Sequence, residues 1–208
     1  MVFSSEIEGL GNVESYPKSL DVQCRDGSAK LYDECGSQVE ILKMAVGKAA
    51  ETDKTVLVVY GAEWCVWCFV FDDYIKGKYR ASYYEWEHDE KLEKWVMNEK
   101  PNDGAQHSAE HLKRFVAENF VIAHIEGDHS SDGAEAINAL GVDESKIDFY
   151  PFIVSLSKTG SYASHMFGYE VMGDLKKRKD RRGQPLKHFD REKLVQGLSV
   201  LRRVAQDQ

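Results

Sequence analysis

The chain has 208 residues, of which 42% are hydrophobic and 30% are charged, and its formal net charge at pH 7 is -8. This length predicts one domain with an embellishment, or two small domains, with a core large enough to fold without metals or disulfides. The acidic balance argues against general nucleic-acid binding, which needs a basic surface. No apolar run approaches the roughly 20 residues that span a bilayer.

The N-terminal residues are predicted to form an arm and a small hairpin (residues 1–30) ahead of the main domain (residues 31–208). The hairpin is expected at Asp26-Gly27, because this dipeptide favours tight turns. The first residues carry acids where a signal peptide would have a basic stretch and an apolar stretch. The chain is therefore expected to be cytoplasmic, or a mature form that begins after a removed leader.

Helices and strands are predicted to alternate from residue 31 onward. Residues 38–51 have apolar side chains at helical spacing behind Ser37, a candidate N-cap. The run TVLVVYGA (residues 55–62) is continuous, apolar and β-branched, as is typical of a strand buried on both faces. A mostly apolar helix is predicted to start at Cys65, directly after this strand.

An insertion at about residues 76–111 breaks the alternation, because it is highly charged and rich in tyrosine and tryptophan. Leu92, Trp95 and Val96 predict one short amphipathic helix within it. Two interpretations of its aromatic residues stay open. They could cap the end of the domain that holds the functional site and shape a partner groove, or they could form an extra helical layer packed on the core.

Regular structure is predicted again after the insertion. An amphipathic helix (108–120) leads into the apolar strand FVIAHIEGD (120–128), which is followed by a short helix (132–142). Two antiparallel strands (150–169), a basic run (174–184) expected to be a solvated loop, and a helix capped by Asp190 complete the chain. The order indicates an α/β fold with a mixed central sheet flanked by helices and with a helical insertion.

The motif with the clearest chemistry is the CxxC pair Cys65 and Cys68, which is separated by Val66 and Trp67. A CxxC that joins a buried strand to a helix indicates a redox-active pair. Unpaired backbone N–H groups and the positive end of the helix dipole stabilise a thiolate at a helix start. Cys65 is therefore the predicted nucleophile, and Cys68, one turn further along, is the predicted resolving cysteine.

Other interpretations of the pair stay open. A structural zinc site needs a second pair of ligands, and His107 and His111 lie too far along the chain for a compact finger and fit a helix surface better. The cysteines could also form a structural disulfide in a non-catalytic binding module, or hold a soft ion in a metal-binding chaperone. The redox interpretation requires no cofactor and no resident metal.

Three segments resemble the thioredoxin superfamily in their order and type: KTVLVVYGAEWCVWC, NFVIAHIEGD and FYPFIVSLSKTG. The similarity is greatest to bacterial thioredoxin-like proteins that are often found outside the cytoplasm. It covers about residues 31–75 and 112–204. It implies a thioredoxin-like fold, interchange of protein disulfides, an electron-donor protein as redox partner, and a periplasmic or other extracytoplasmic location for a mature form.

The same resemblance assigns roles to residues around the cysteines. Pro151 would be a cis-proline whose loop packs against the CxxC, and Tyr150 would offer its backbone to a bound substrate strand. Trp64 would shield the pair, and Val66 and Trp67 would help to position the substrate.

The chain departs from the thioredoxin pattern at three points, one of which is the greater distance from the CxxC to Pro151 that the insertion at about residues 76–111 creates. Thioredoxins carry a buried aspartate on the strand before the CxxC, where this chain has Val59. Proton transfer at Cys68 must then use another group or water, and Glu63 is the nearest candidate in the sequence. No cation lies between the cysteines, so a reducing-to-intermediate potential is predicted.

The remaining cysteines and the buried polar candidates have weaker signals. Cys24 and Cys35 are candidates for a second disulfide, which would favour an oxidising compartment, although separate buried thiols are the commoner case. His124 is expected to be a core histidine with a satisfied hydrogen bond. Asp72 and Asp73 are expected to lie on the solvated face of the helix after the CxxC.

Overall fold

The computed structural model describes residues 11–21, 23–27, 29–80, 82–101, 104–179 and 184–208. The strands are β1 (Glu14–Tyr16), β2 (Thr55–Gly61), β3 (Ser82–Asp89), β4 (Lys94–Pro101), β5 (Phe120–Glu126), β6 (Phe152–Leu156), β7 (Tyr162–Phe167), β8 (Met172–Lys179) and β9 (Pro185–Phe189). The helices are α1 (Gln38–Thr52), α2 (Val66–Ile75), α3 (Ala105–Asn119), α4 (Gly133–Asn138) and α5 (Arg191–Gln206).

The central sheet has five strands in the order β1-β5-β2-β6-β7. The strands β1, β5 and β2 are parallel, whereas β6 is antiparallel to β2 and β7 is antiparallel to β6. Strands β2, β5 and β6 are buried along their whole length. The predicted α/β fold with a mixed central sheet and flanking helices is confirmed.

Two apolar layers cover the faces of this sheet, because successive side chains of a strand point to opposite sides. Val58 and Tyr60 pack in the layer that contains residues of α1 and α4. Leu57 and Val59 pack in the layer that contains residues of α2, α3 and α5. The second layer lies on the side of the sheet that carries the CxxC helix.

Capping side chains explain where α1 and α5 begin. Ser37 accepts a hydrogen bond from the backbone N–H of Glu40, and Asp190 accepts hydrogen bonds from two N–H groups in the first turn of α5. These bonds satisfy donors that have no partner within a helix. Both predicted N-caps are confirmed. Asp132, remote in the sequence, also accepts hydrogen bonds from Ser37 Oγ at 2.7 Å and the Gln38 N–H at 2.9 Å.

The insertion is a β-hairpin and not the predicted helix, because β3 and β4 pair in a separate antiparallel sheet. Asp89 Oδ1 accepts hydrogen bonds from the N–H groups of Lys91 and Leu92, which closes a turn. Glu93 has a φ of 48°, which a right-handed helix cannot contain. Trp95 is 64% exposed, so the proposal of rings buried against the core is wrong for this ring.

The structure also adds to or differs from three other predictions of local structure. The N-terminal arm contributes β1, an edge strand of the central sheet, and the expected Asp26-Gly27 hairpin is a 3-10 turn, Cys24–Gly27. Arg25 and Gly27 both have positive φ values, which coil the chain at this point. The basic run contributes to a second hairpin, β8 with β9, although residues 180–183 lie outside the described residues.

Within the described residues, no helix is both long enough and apolar enough to cross a membrane.

Candidate functional site

The cysteine pair lies where the chain passes from β2 into α2. Cys65 is the N-cap residue of α2, and its Sγ accepts a hydrogen bond from the backbone N–H of Cys68 at 3.1 Å. The two cysteines form a disulfide. Cys65 is 4% exposed and Cys68 is 0% exposed, so Cys65 is the more accessible residue of the two. The predicted position of the pair at a helix start is confirmed.

Aromatic and apolar side chains surround the entrance to the pair. Trp64 is 61% exposed and Val66 is 71% exposed. The indole N–H of Trp64 donates to Asp128 Oδ2 at 2.7 Å, which ties the ring to the loop after β5. Trp67 turns inward, and its ring packs edge-on against Phe189 of β9 with the centroids 5.8 Å apart. The two tryptophans therefore face different surroundings, one in solvent and one partly buried.

The segment before β6 packs against the same site. The Tyr150–Pro151 peptide bond is cis, and the Tyr150 ring packs against the cluster that contains both cysteines. Its centroid lies 6.0 Å from that of Trp64. Burial, with smaller contributions from nearby carboxylates, raises the pKa of Tyr150 to about 12, so its hydroxyl stays protonated. The Pro151 carbonyl accepts a hydrogen bond from the Gly168 N–H at 3.0 Å.

Glu63 holds the segment before α1 against the CxxC turn. Its carboxylate accepts hydrogen bonds from the backbone N–H groups of Lys30, Leu31 and Tyr32, at 2.7, 3.1 and 2.9 Å. A carboxylate that three backbone donors occupy is well placed to anchor a loop. These contacts show that Glu63 anchors the backbone. Its predicted role in proton transfer at Cys68 remains a prediction.

The loop after β5 is organised by Glu126, whose importance the sequence did not indicate. Glu126 Oε2 accepts hydrogen bonds from the N–H groups of Asp128, His129 and Ser130 at 2.6–3.0 Å. Gln38 Oε1 accepts from the Glu126 N–H at 2.8 Å, which joins this loop to α1. The loop in turn presents Asp128 to the indole of Trp64. The local signal of this arrangement is the glycine and the polar residues that follow the carboxylate, in the sequence EGDHS (126–130).

Buried polar side chains lie beneath the disulfide, and here two sequence expectations are wrong. Asp72 is 7% exposed instead of solvated, and it lies one helical turn after Cys68. His124 is a core histidine, as expected, but its Nε2 has no hydrogen bond of good geometry among the described residues. Asp72 Oδ1 is 3.3 Å from that nitrogen, and Asp72 Oδ2 is 2.8 Å from Lys76 Nζ.

The charge state of Asp72 follows from these neighbours. Burial acts to raise the pKa of Asp72, but His124 and Lys76 together outweigh it, and the pKa lies below its ordinary value. Asp72 is therefore a carboxylate at neutral pH. Asp73, which points elsewhere, is half exposed and pairs with Lys78, as a residue on the solvated face would.

A second disulfide joins Cys24 to Cys35, with the Cα atoms 5.7 Å apart. The sequence alone left two alternatives open, this disulfide and the commoner case of two separate thiols. The bridge ties the 3-10 turn to the segment that precedes α1. Arg25 in this turn forms a 3.1 Å ion pair with Glu34, one residue before the second cysteine.

An open groove of about 760 Å³ runs beside the entrance to the cysteine pair. It is lined by Arg25, Lys30, Glu34, Glu63, Trp64, Val66, Phe69 and His129. The lining combines exposed apolar surface next to the CxxC with charged side chains of both signs. His107 and His111 lie on the exposed surface of α3, as expected. In the part of the chain that the structure describes, no three His, Cys, Asp or Glu side chains are grouped as metal ligands would be.

Comparisons with known proteins add little to this geometry. No protein-family model matches the sequence, and no curated protein matches it. A solved structure described as a disulphide isomerase from Xylella fastidiosa Temecula1 is similar, with 18% sequence identity and a TM-score of 0.40. The match covers 65% of this chain and 77% of that one. The strand order and the CxxC at the start of α2, and not this distant match, show that the chain has a thioredoxin-like fold.

Proposed function

We propose that this protein is a thiol–disulfide oxidoreductase that acts on protein disulfides through Cys65 and Cys68. The observation that carries the proposal is the position of Cys65 at the N-cap of α2, where its sulfur accepts the Cys68 N–H. An anionic sulfur at this position gains from the helix dipole and from unpaired N–H groups. Such a sulfur is both a good nucleophile and a good leaving group.

The reaction begins with the reduced pair. The Cys65 thiolate attacks one sulfur of the substrate disulfide, that S–S bond breaks, and one substrate thiolate leaves. Cys68 then loses its proton and attacks Cys65 Sγ, which releases the second substrate thiolate and forms the Cys65–Cys68 disulfide. Two electrons and two protons pass to the substrate, and a dithiol partner protein supplies them again.

The surroundings of the pair support an extended polypeptide as substrate. Trp64 and Val66 present exposed apolar surface next to Cys65, and Tyr150 packs against the cysteine cluster with its ring beside that of Trp64. The carbonyl of Pro151 is already bonded to Gly168, so the backbone of Tyr150 is the group we assign to pair with a substrate strand. The Cys24–Cys35 disulfide supports an oxidising, extracytoplasmic compartment.

Trapping with a Cys68→Ser variant tests the proposal. This variant keeps the nucleophile and cannot resolve the mixed disulfide, so protein partners should remain covalently bound to Cys65 and be released by reductant. A Cys65→Ser variant is the matched control, because it retains the buried sulfur and loses the accessible one. The Cys24 and Cys35 pair stays intact in both variants.

The competing assignment is a thioredoxin-like binding module with a structural disulfide. In that case Cys68→Ser would capture no more protein than Cys65→Ser, and the wild-type pair would resist reduction by a dithiol. That result would refute the proposed activity. The potential of the pair is expected to be more reducing than about -120 mV, the value of a strongly oxidising periplasmic oxidase.

A further inference from the structure

Three buried polar side chains meet beneath Cys68, and we call them the buried triad: Tyr32, Asp72 and His124. Their exposed fractions are 0%, 7% and 2%. Tyr32 precedes α1, Asp72 lies on α2, and His124 lies on β5. Tyr32 Oη, Asp72 Oδ1 and His124 Nε2 have no hydrogen-bond partner among the described residues. Buried polar atoms without partners are rare in folded proteins and require an explanation.

The triad is adjacent to the sulfur of Cys68. Cys68 Sγ and Tyr32 Oη each lie 2.6 Å from the point that a Cβ on Gly61 would occupy, so their separation is at most twice that distance. The ring of Tyr32 packs edge-on against that of His124, with the centroids 5.6 Å apart. His124 Nε2 is in turn 3.3 Å from Asp72 Oδ1. Tyr32 therefore adjoins both the resolving cysteine and the imidazole of His124, which in turn adjoins the buried carboxylate, but the Tyr32 hydroxyl makes no hydrogen bond with Cys68 or His124 in the disulfide form.

We propose that the buried triad carries the proton of Cys68 during disulfide exchange, with Tyr32 as the relay, His124 as the proton acceptor and Asp72 as the group that positions and stabilises the imidazole. The inference rests on the proposed function and deepens it. His124 is also the register partner of Val59 on β2. The titratable group thus lies on the neighbouring strand, beside the position where the resemblance to thioredoxins led us to expect an acid.

The charges around the triad fit these roles. Burial, and then the carboxylates of Asp72, Glu126 and Glu63, raise the pKa of Tyr32 well above its ordinary value. Its hydroxyl therefore stays protonated and can pass a proton on, but it cannot keep a negative charge. Imidazole is the side chain that ordinarily gains and loses a proton near neutral pH. An imidazolium at His124 would face the carboxylate of Asp72, to which Lys76 also binds.

The proton movement balances in both directions. In the resolving step the Cys68 thiol gives its proton to the Tyr32 hydroxyl, which gives its own proton to His124, while the Cys68 thiolate attacks Cys65 Sγ. When a dithiol partner reduces the pair, Cys68 leaves as a thiolate and regains a proton from the imidazolium by the same route. The electrons move only between sulfurs.

The test separates the two thiol steps in a single turnover. Reduced protein is mixed with 5,5'-dithiobis(2-nitrobenzoic acid) in a stopped-flow spectrometer from about pH 5 to about pH 9, a range that spans imidazole and thiol titration. Attack by Cys65 releases one coloured thiolate, and attack by Cys68 on the mixed disulfide releases the second. In His124→Gln the second phase should be slower by about 100-fold at neutral pH, the lower end of the contribution of a positioned acid–base group.

The variants make the outcome decisive. His124→Gln and Tyr32→Phe should leave the first phase unchanged and make the second phase follow the titration of an unassisted thiol. His165→Gln and Tyr162→Phe, on β7, should change neither phase. Tyr32→Phe removes only a hydroxyl that lacks a partner, so it can be expected to fold even if His124→Gln does not.

Different results would overturn different claims. The relay would be refuted if the second phase kept its wild-type rate and pH profile in Tyr32→Phe, and in His124→Gln if that variant folds. The proposed oxidoreductase activity would stand in that case. If the wild-type protein itself shows no first phase, the proposed function fails.

Discussion

Replacing Gly61 with alanine should destabilise the protein, because Cys68 and Tyr32 lie so close to this glycine that there is no room for a side chain. A Cβ at this position would lie 2.6 Å from both Cys68 Sγ and Tyr32 Oη. Real Cβ atoms essentially never come this close to another heavy atom, and ordinary contact begins at 3.4 Å. Both neighbours belong to fully buried residues, so neither can move into solvent.

The magnitude follows from the overlap. Relief requires a displacement of nearly 1 Å in a close-packed region, and overpacking of this kind costs about 1–3 kcal/mol. Alanine also lowers the conformational entropy of the unfolded chain, which offsets about 0.5–1 kcal/mol of that cost. With the central value of each range, Gly61→Ala should lower the free energy of unfolding by about 1 kcal/mol.

Equilibrium denaturation in urea of the oxidised protein measures this change. Gly47→Ala is the matched control, because Gly47 lies within α1 and a Cβ there would meet nothing within 4 Å. That variant should gain about 0.5–1 kcal/mol from helix propensity. Adding Tyr32→Phe to Gly61→Ala should recover part of the loss, since it removes one of the two clashing atoms.

The reasoning about Gly61 would be refuted if Gly61→Ala were as stable as the wild type, or gained stability as Gly47→Ala is expected to do. A loss of stability that Tyr32→Phe did not reduce at all would place the strain on the Cys68 side of the site alone.

Three further predictions concern stability. Asp132→Asn should cost about 1 kcal/mol in urea denaturation, because it weakens the cap of α1; an unchanged midpoint would contradict this. Removing the Cys24–Cys35 bridge by a double serine substitution should cost about 3 kcal/mol from loop closure, and the loss should disappear when both proteins are compared in reductant. Asp72→Asn should be less stable than the wild type by about 1–2 kcal/mol at neutral pH. The pKa of folded Asp72 is lowered, so this difference in stability should be present above about pH 4 and should shrink as the pH falls through the folded-state pKa. A difference in stability that does not change with pH would count against this prediction.

Local sequence patterns were sufficient for the elements that are buried or capped. The continuous apolar runs of β2 and β5 predicted buried strands, and Ser37 and Asp190 predicted the starts of two helices. These signals are local, because strand burial sets which residue types are allowed and a cap involves side chains within one turn. The CxxC at the start of α2 belongs to the same class of signal.

The insertion shows where local pattern was insufficient. Leu92, Trp95 and Val96 have helical spacing, but Trp95 and Val96 belong to β4, which pairs with β3 across a turn at Asp89. Pairing between the two strands of the hairpin overrode the helical periodicity. The resulting exposure of Trp95 could not be predicted from composition.

The buried polar groups beneath the disulfide could be identified only from the tertiary structure. The sequence by itself determined the cysteine pair, its helix and the strands that present it. It did not determine that Asp72 is buried, that His124 lies beside it, or that the Tyr32 hydroxyl lies near the sulfur of Cys68. These residues come from three separate segments, and only the packing of the helix on the sheet brings them together. A carboxylate on a helix favours solvent by default, and the cation and the imidazole that stabilise it when buried are identified only once the fold has formed.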